Sequence, residues 1–170
     1  MRNVAIALYN HDSTRGFLPR RRERMTDPNG NRKDKSWVYH ILPFIERRDL
    51  WEKYGPQSPT GNFNSNPTEW MKVMTCPNDP TARTGNKFTM VVNGGTRGNS
   101  DNQSTAMFDD SWNGSITACS AGDGTSQTIL LSENVDASNW RDLNDEQVCV
   151  CFQDSAIGFG GTVKNINVDL

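Results

Sequence analysis

The order in which helical and strand patterns occur along the chain is the feature that most constrains its fold. Apolar residues recur at helical spacing in residues 1–12 and again in residues 36–54. Short runs rich in β-branched residues and bounded by Gly, Asn or Asp dominate residues 85–170. Because helices and strands do not alternate, this order predicts one loop-rich α+β domain over residues 1–170, with a long N-terminal helix packed on an antiparallel sheet.

The opening segment predicts the C-terminal half of a longer helix. Its helical pattern starts at Met1 without a preceding capping residue, and Val4, Ala5 and Leu8 share one face. The turn-forming residues 13–16 end the pattern. We therefore expect the native helix to continue upstream, and its apolar face to seat it on the sheet.

The second helical region is predicted to begin at Ser36, whose hydroxyl suits an N-cap, and to be interrupted by Pro43. Its apolar residues are expected to fill the core between helix and sheet: Trp37, Ile41, Phe44 and Ile45. The stretch before it, residues 17–35, is rich in Arg, Pro and Asn and is predicted to be a surface loop. The basic run at residues 20–24 is interpreted as solvated, and an anion site is the alternative.

Strand patterns follow in the second half of the chain, at residues 88–92, 115–118, 128–133, 147–152 and 163–168. Between the helical and strand zones, residues 56–67 are mostly Pro, Ser, Thr, Asn and Gly, which predicts an irregular crossover.

The net charge of the chain argues against a nucleic-acid partner. Eighteen basic residues against twenty acidic ones leave a net charge of -2, which does not attract a polyanion, so no nucleic-acid partner is expected. No run of eighteen apolar residues occurs, so the chain as given does not span a membrane.

The four cysteines are Cys76, Cys119, Cys149 and Cys151. Full pairing allows three connectivities, and the even count fits an oxidising compartment. Cys149 with Cys151 is the least suitable pair, because residues two apart on a strand point the same way and diverge. A four-cysteine zinc site and free buried thiols are the alternatives.

Residues suited to catalysis are sparse, and the chain is predicted not to be an enzyme. His11 and His40 lie in different elements, and no nucleophile elbow accompanies them, so a packing or capping role is expected for His40. Acidic residues suited to a hydrolase occur in loop-like sequence: Asp109, Asp110, Asp142, Asp145 and Glu146. An exported hydrolase is therefore ranked last among the functions considered.

Loop residues suggest two kinds of ligand. No cofactor is expected, although calcium could bind residues 101–103 together with Asp109 and Asp110. Trp112 and Trp140 lie in polar loops, where they could stack on a sugar or a partner, or could instead cover the sheet. The run at residues 123–126 predicts a tight turn; a phosphate nest there would need a nearby Lys or Arg, and none lies within ten residues.

Five ordered blocks resemble those of a large family of prepilin-type bacterial proteins, expanded in planctomycetes. Residues 1–10 resemble the family's opening helix, 11–19 its His-Asp and Gly-x-Phe-Pro segment, 36–46 its Ser-Trp to Pro-Tyr-Leu-Glu block, 76–80 its Cys-Pro-Ser-Asp-Pro and 123–133 its Asp-Gly-Thr-Ser block. The matching positions include Trp37, Pro43, Glu46, Cys76, Pro77, Asp79, Asp123, Gly124, Thr125, Ser126 and Glu133.

The globular part of that family is called a domain of unknown function, or solute-binding-protein-like. The resemblance implies a leader and a hydrophobic helix upstream, and structural roles for the matching residues. The family's His-Pro-Gly-Gly motif lacks its His here, where Phe159 precedes Gly160 and Gly161.

These observations predict an exported, pseudopilin-like structural or assembly subunit, of the kind used in type II secretion or pilus-like systems. It would lie in the periplasm or at the cell surface, anchored in the inner membrane by the upstream helix. Other pilin-like subunits or surface components would be its partners. The alternative is an extracytoplasmic glycan- or solute-binding module that uses Trp112 and Trp140.

Overall fold

The computed structural model of the protein describes residues 1–79, 87–97, 106–110, 113–122, 124–134, 137, 139–140 and 149–153. These residues form an α+β fold, as the sequence predicts. The helices are α1 (Arg2–Arg15), α2 (Trp37–Ile41), α3 (Arg48–Tyr54) and α4 (Ile116–Ala121). The strands are β1 (Arg22–Thr26), β2 (Arg32–Ser36), β3 (Met90–Arg97), β4 (Leu131–Glu133) and β5 (Cys149–Gln153). Short 3-10 helices lie at Leu42–Ile45, Asn62–Asn64 and Lys72–Met74.

The first helix continues past residue 12, where it was predicted to end. Thr14 Oγ1 donates to Asn10 O at 2.7 Å, which keeps the last turn helical. Gly16 then adopts φ 81°, a conformation that residues with a side chain disfavour, and donates its N–H to Asp12 O at 2.7 Å. The helix therefore ends at the glycine.

One face of α1 is buried in the same hydrophobic core as the central strand β3. The buried residues of the helix are Val4, Ala7, Leu8 and His11. Ala5, which was predicted to share this face, is only half-buried. Val4 and Leu8 belong to one apolar cluster with Val91 and Val92 of β3. Within this core, α1 lies directly beside α2 and the 3-10 helix that follows it.

Strands β1 and β2 form an antiparallel hairpin, so the prediction of a loop over residues 17–35 was wrong. Asp27 shapes the turn, because its Oδ1 accepts the N–H of Asn31 at 2.7 Å. The strands contain few apolar residues and are joined across the ladder by charge, as in Arg24 Nε to Asp34 Oδ1 at 2.8 Å. Apolar alternation, the usual signal of a strand, is therefore absent.

The second helical region confirms the interruption at Pro43, which lies in the 3-10 helix between α2 and α3. Ser36 is the N-cap residue of α2, as predicted, but its side chain does not cap the helix. Its backbone is extended, as at an N-cap, but its Oγ donates to Trp140 O at 2.5 Å and makes no cap hydrogen bond. The hydroxyl therefore joins the start of α2 to a distant loop.

The larger sheet is mixed, whereas an antiparallel sheet was predicted. Its strand order is β4-β3-β5; β3 pairs antiparallel with β4 and parallel with β5. Two parallel strands need a long crossover, and here the chain between β3 and β5 contains α4 and β4. At Gly95 of β3, with φ 73°, an added Cβ would lie 2.5 Å from the Cβ of Ala106, so only glycine fits this close approach.

Residues 116–121 form helix α4 where a strand was predicted at residues 115–118, so that prediction was wrong. Ser115 caps the helix, because its Oγ accepts the N–H of Ala118 at 3.0 Å. Small residues follow, which suit a short helix as well as a strand. Asp12 Oδ1 accepts the N–H of Ile116 at 3.4 Å, and Leu18 donates its N–H to Gly114 O at 2.7 Å. These bonds place α4 beside the C-terminal half of α1.

Large aromatic residues fill the core. Trp37 is fully buried, as predicted, with its ring 6.3 Å from that of Phe108. Phe44 and Ile45, predicted beside it, are only partly buried. Lys35 is also buried; its Nζ donates to Phe63 O at 2.8 Å and lies 4.5 Å from the centre of the Phe63 ring. The predicted strand at residues 163–168 lies outside the described residues.

Candidate functional site

The site that we single out is an open groove between α1 and α4, which we call the α1–α4 groove. Its volume is about 430 Å³, within the range of small-molecule sites. Its lining residues are Tyr9, Asp12, Ser13, Ile116, Thr117, Ser120 and Thr125. The helices supply all of these except Thr125, which follows the tight turn at Gly124.

Most of the side chains that line the α1–α4 groove carry a hydroxyl group. Five of its side chains end in a hydroxyl, and one in a carboxylate. Tyr9 supplies an aromatic ring, and its side chain is 59% exposed. Such a lining offers both donors and acceptors beside an apolar surface, which suits a ligand with the same mixture.

The exposed side of α1 carries apolar residues beyond the groove. Ile6 is 47% exposed and Met1, just before the helix, is 50% exposed, and we call the exposed surface around Ile6 the outer α1 face. Tyr9 lies at the boundary between this face and the groove. Because the opposite side of the helix is buried in the core, the fold fixes where Ile6 and Tyr9 are exposed among the polar residues of α1.

A second polar cluster joins the β1 hairpin to the segment after β3. Asp110 accepts hydrogen bonds from Arg21 Nη2 at 2.7 Å, from Arg22 Nε at 2.8 Å and from the Arg22 N–H at 3.0 Å. Burial raises the pKa of Asp110, but the two guanidiniums outweigh it and hold the pKa below its usual value. The carboxylate is therefore committed to an ion cluster, and its positive neighbours disfavour a role in holding calcium.

His40 is largely buried, in line with the packing role predicted for it, and His11 is buried as well. His11 Nδ1 lies 3.0 Å from Phe17 O, and the ring meets Phe44 edge-on at 5.6 Å. Nε2 of His40 is buried and lies 3.4 Å from Glu23 Oε2. Burial lowers the pKa of His40 to about 3, so its ring is neutral at ordinary pH.

Three of the four cysteines are described with their side chains: Cys76, Cys119 and Cys149. Cys149 is buried on β5, where Arg21 Nη1 lies 3.9 Å from its sulfur. Cys76 and Cys119 are free thiols, and both are half-buried. The side chain of Cys151 lies outside the described residues.

The residues named from the family resemblance are scattered over the fold. Cys76 donates its N–H to Thr89 Oγ1 at 2.7 Å, and Asp79 Oδ2 lies 3.4 Å from Lys87 Nζ. Glu46 takes the left-handed φ of 62°, which ends its 3-10 helix. The exposed members of the set are Pro43, Glu46, Pro77, Thr125, Ser126 and Glu133. Asp123 lies outside the described residues, and of the set only Thr125 lines the α1–α4 groove.

The loop tryptophans do not provide a described ligand surface. Trp140 is 2% exposed, and its Nε1 donates to Glu69 O at 3.2 Å. A stacking role for Trp140 was therefore wrong, and its role as an aromatic anchor fits instead. Trp112 lies outside the described residues, as do Asp142, Asp145, Glu146 and residues 101–103.

Sequence reasoning missed the α1–α4 groove. Its signals were the exposed Tyr9 at the centre of the polar side of α1 and the hydroxyl-rich run at residues 115–120. Within the described part of the chain, no group of three His, Cys, Asp or Glu side chains is placed to hold a metal ion. None of the described helices has the length and apolar character needed to cross a membrane.

The chain was compared with known families, curated proteins and solved structures. The model of a family labelled SBP_bac_10 and described as "Protein of unknown function (DUF1559)" matches residues 1–150. No curated protein and no solved structure matches the chain.

Proposed function

The chain belongs to the DUF1559 family of proteins of unknown function, and from this premise we propose that it is the head of a pseudopilin-like structural or assembly subunit. The head would lie outside the cytoplasm, in the periplasm or at the cell surface. A hydrophobic helix continuous with α1 would anchor the full-length protein in the inner membrane, and its partners would be other pilin-like subunits or surface components.

The observation that carries this proposal is the division of α1 into two faces. Val4 and Leu8 fix the helix in the core at 0% exposure, while Ile6 on the opposite side is 47% exposed. A helix held this firmly moves with the head as one body. Its exposed apolar residues then form a contact surface whose position is set by the fold, as an assembly subunit requires.

The proposed role is not catalytic. Both histidines are held in the core, and Asp110 is neutralised by two arginines. The positions of these groups favour structural roles over proton transfer to a substrate.

Location is tested on the full-length protein in its native cells, carrying a C-terminal epitope tag. We expect it in the membrane fraction, and we expect protease added to spheroplasts to remove the tag. Recovery of the protein in the cytosol, protected until the cells are lysed, would contradict the proposal.

Assembly is tested by placing a charge on the outer α1 face. We expect Ile6→Glu to reduce chemical cross-linking between copies or neighbouring components in membranes, because a charge opposes burial of an apolar contact. Gln57→Glu is the matched control, since it places the same charge at an exposed residue outside α1. Equal cross-linking in both variants would show that the outer α1 face makes no contact.

A further inference from the structure

The hydroxyl groups of the α1–α4 groove are not used by the fold. Among the residues that the structure describes, no hydrogen bond involves the side chains of Tyr9, Ser13, Thr117, Ser120 or Thr125. By contrast, two neighbouring hydroxyls make hydrogen bonds within the fold. Ser115 Oγ accepts the N–H of Ala118 at 3.0 Å, and Thr128 Oγ1 donates to Gly124 O at 3.1 Å. The hydroxyl groups next to the groove therefore stabilise the fold, whereas those that line the groove are available to bind a ligand.

The acidic group of the groove is held in place. Asp12 Oδ1 accepts the N–H of Ile116 at 3.4 Å, which ties the carboxylate to the first turn of α4. A carboxylate with one oxygen so oriented can accept hydrogen bonds from ligand hydroxyls through the other. Asp12 lies in the last turn of α1, where its backbone carbonyl also accepts the N–H of Gly16 that ends the helix.

The aromatic group of the groove is Tyr9, which lies beside the Asp12 carboxylate on α1. Tyr9 precedes Asp12 by three positions, so their side chains are neighbours on the helix surface. The Tyr9 ring is 59% exposed and therefore offers an apolar face that a ligand can cover.

We propose that the α1–α4 groove binds a neutral oligosaccharide. The C–H face of one sugar ring stacks on Tyr9, Asp12 accepts from a pair of its hydroxyls, and the Ser and Thr hydroxyls exchange hydrogen bonds with the next ring. A sugar combines many hydroxyls with a small apolar C–H face, and the lining supplies partners for both: hydroxyl groups and one carboxylate for the hydroxyls, and the Tyr9 ring for the apolar face.

Other ligand classes fit the lining less well. An anion would face the Asp12 carboxylate, and the described lining residues include no Lys or Arg. A metal ion would find only one carboxylate there. An acyl chain would bury the unused hydroxyls without partners, at a cost of about 1–3 kcal/mol for each.

The inference does not rest on the proposed assembly role. Assembly is probed at Ile6, which does not line the groove, and sugar binding is probed at Tyr9 and Thr117, which do. Either idea can therefore fail without the other.

The experiment titrates the ¹⁵N-labelled chain with cellotetraose and, separately, with chitotetraose, and follows backbone amide shifts. We expect saturable shifts at residues of α1 and α4 around the groove with at least one of the two sugars. Tyr9→Ala should weaken that binding about tenfold, the upper range for an aromatic contact, and Tyr9→Phe should keep it. Thr117→Val, which removes one hydroxyl at constant shape, should weaken it about threefold or more.

Trp70→Ala is the matched control, because Trp70 is an exposed aromatic residue (38%) that does not line the groove. It should bind the sugar as the unmodified chain does. The proposal is overturned if neither sugar produces saturable shifts, if the shifts lie away from α1 and α4, or if Tyr9→Ala binds as well as Trp70→Ala.

Discussion

Replacing Asp110 by asparagine tests how strongly one ion cluster holds the β1 hairpin to the rest of the fold. The side chains of Arg21 and Asp110 are 14% and 29% exposed, and that of Arg22 is 36% exposed. Asparagine keeps the shape of the carboxyl group but removes its charge. Two guanidiniums would then lie side by side around a neutral amide.

The expected cost follows from the burial of the cluster. Breaking a buried ion pair costs about 3–5 kcal/mol, whereas exposed pairs contribute about 0–1 kcal/mol. The Asp110 cluster is between these limits, and solvent screens Arg22 more than Arg21. We therefore expect Asp110→Asn to lower the free energy of unfolding by about 2 kcal/mol, which for a chain of this size lowers Tm by about 4–8 °C.

The assay is urea unfolding followed by tryptophan fluorescence, with Asp34→Asn as the control. Asp34 makes the same kind of pair with Arg24 on the same hairpin, but Arg24 is 66% exposed, so the control should cost less than about 1 kcal/mol. Equal losses in the two variants would refute the reasoning, because burial would then not decide the strength of the cluster.

The pH dependence provides an independent check. The pKa of Asp110 in the folded state lies below its usual value, so the charged carboxylate stabilises the fold above the unfolded-state pKa. That stabilisation is lost as pH falls through the folded-state pKa. The difference between Asp110→Asn and the unmodified chain should therefore shrink in acid.

Three further outcomes are expected. Trp37→Ala should lower the free energy of unfolding by about 3–5 kcal/mol, measured by urea unfolding followed by circular dichroism, because the ring is fully buried; an unchanged midpoint would place it outside the core. The pKa of His40 is about 6.5 in the unfolded chain and about 3 in the folded one, so His40 should lower stability as pH drops from about 6.5 towards 3. In thermal melts, His40→Gln should reduce this loss of stability. The same dependence of Tm on pH in the two proteins would contradict this. Maleimide labelling with peptide mapping should modify half-exposed Cys76 and Cys119 in the native chain and Cys149 only after unfolding; early reaction of Cys149 would contradict its burial.

The sequence predicts the helices and strands that are marked by a regular spacing of apolar residues over a short stretch of chain. The α+β class, the first helix and the interruption at Pro43 all follow from spacing over a few turns. The hairpin was missed because Arg24 and Asp34 pair through charge, which carries no apolar period. Helix α4 was missed because a short run of small residues fits either period, and the capping role of Ser115 decided the outcome.

Local sequence patterns do not show which distant segments of the chain pack together. The α1–α4 groove joins Tyr9 to residues more than a hundred positions later, and no local signal couples them. In the same way, nothing in the β5 pattern indicates that it runs parallel to β3, since parallel pairing depends on the path of the crossover. Trp140 lies in polar sequence, yet Ser36 and Glu69 bind it in the interior.

The parallel partner of β3 has a consequence for the order in which the chain folds. During synthesis β3 emerges well before β5, and until β5 arrives one edge of the central strand has open N–H and C=O groups. The sheet therefore closes late, through a contact distant in sequence, which slows folding. A chain that is still being synthesised beyond β3 therefore has an incomplete central sheet until β5 is available to pair.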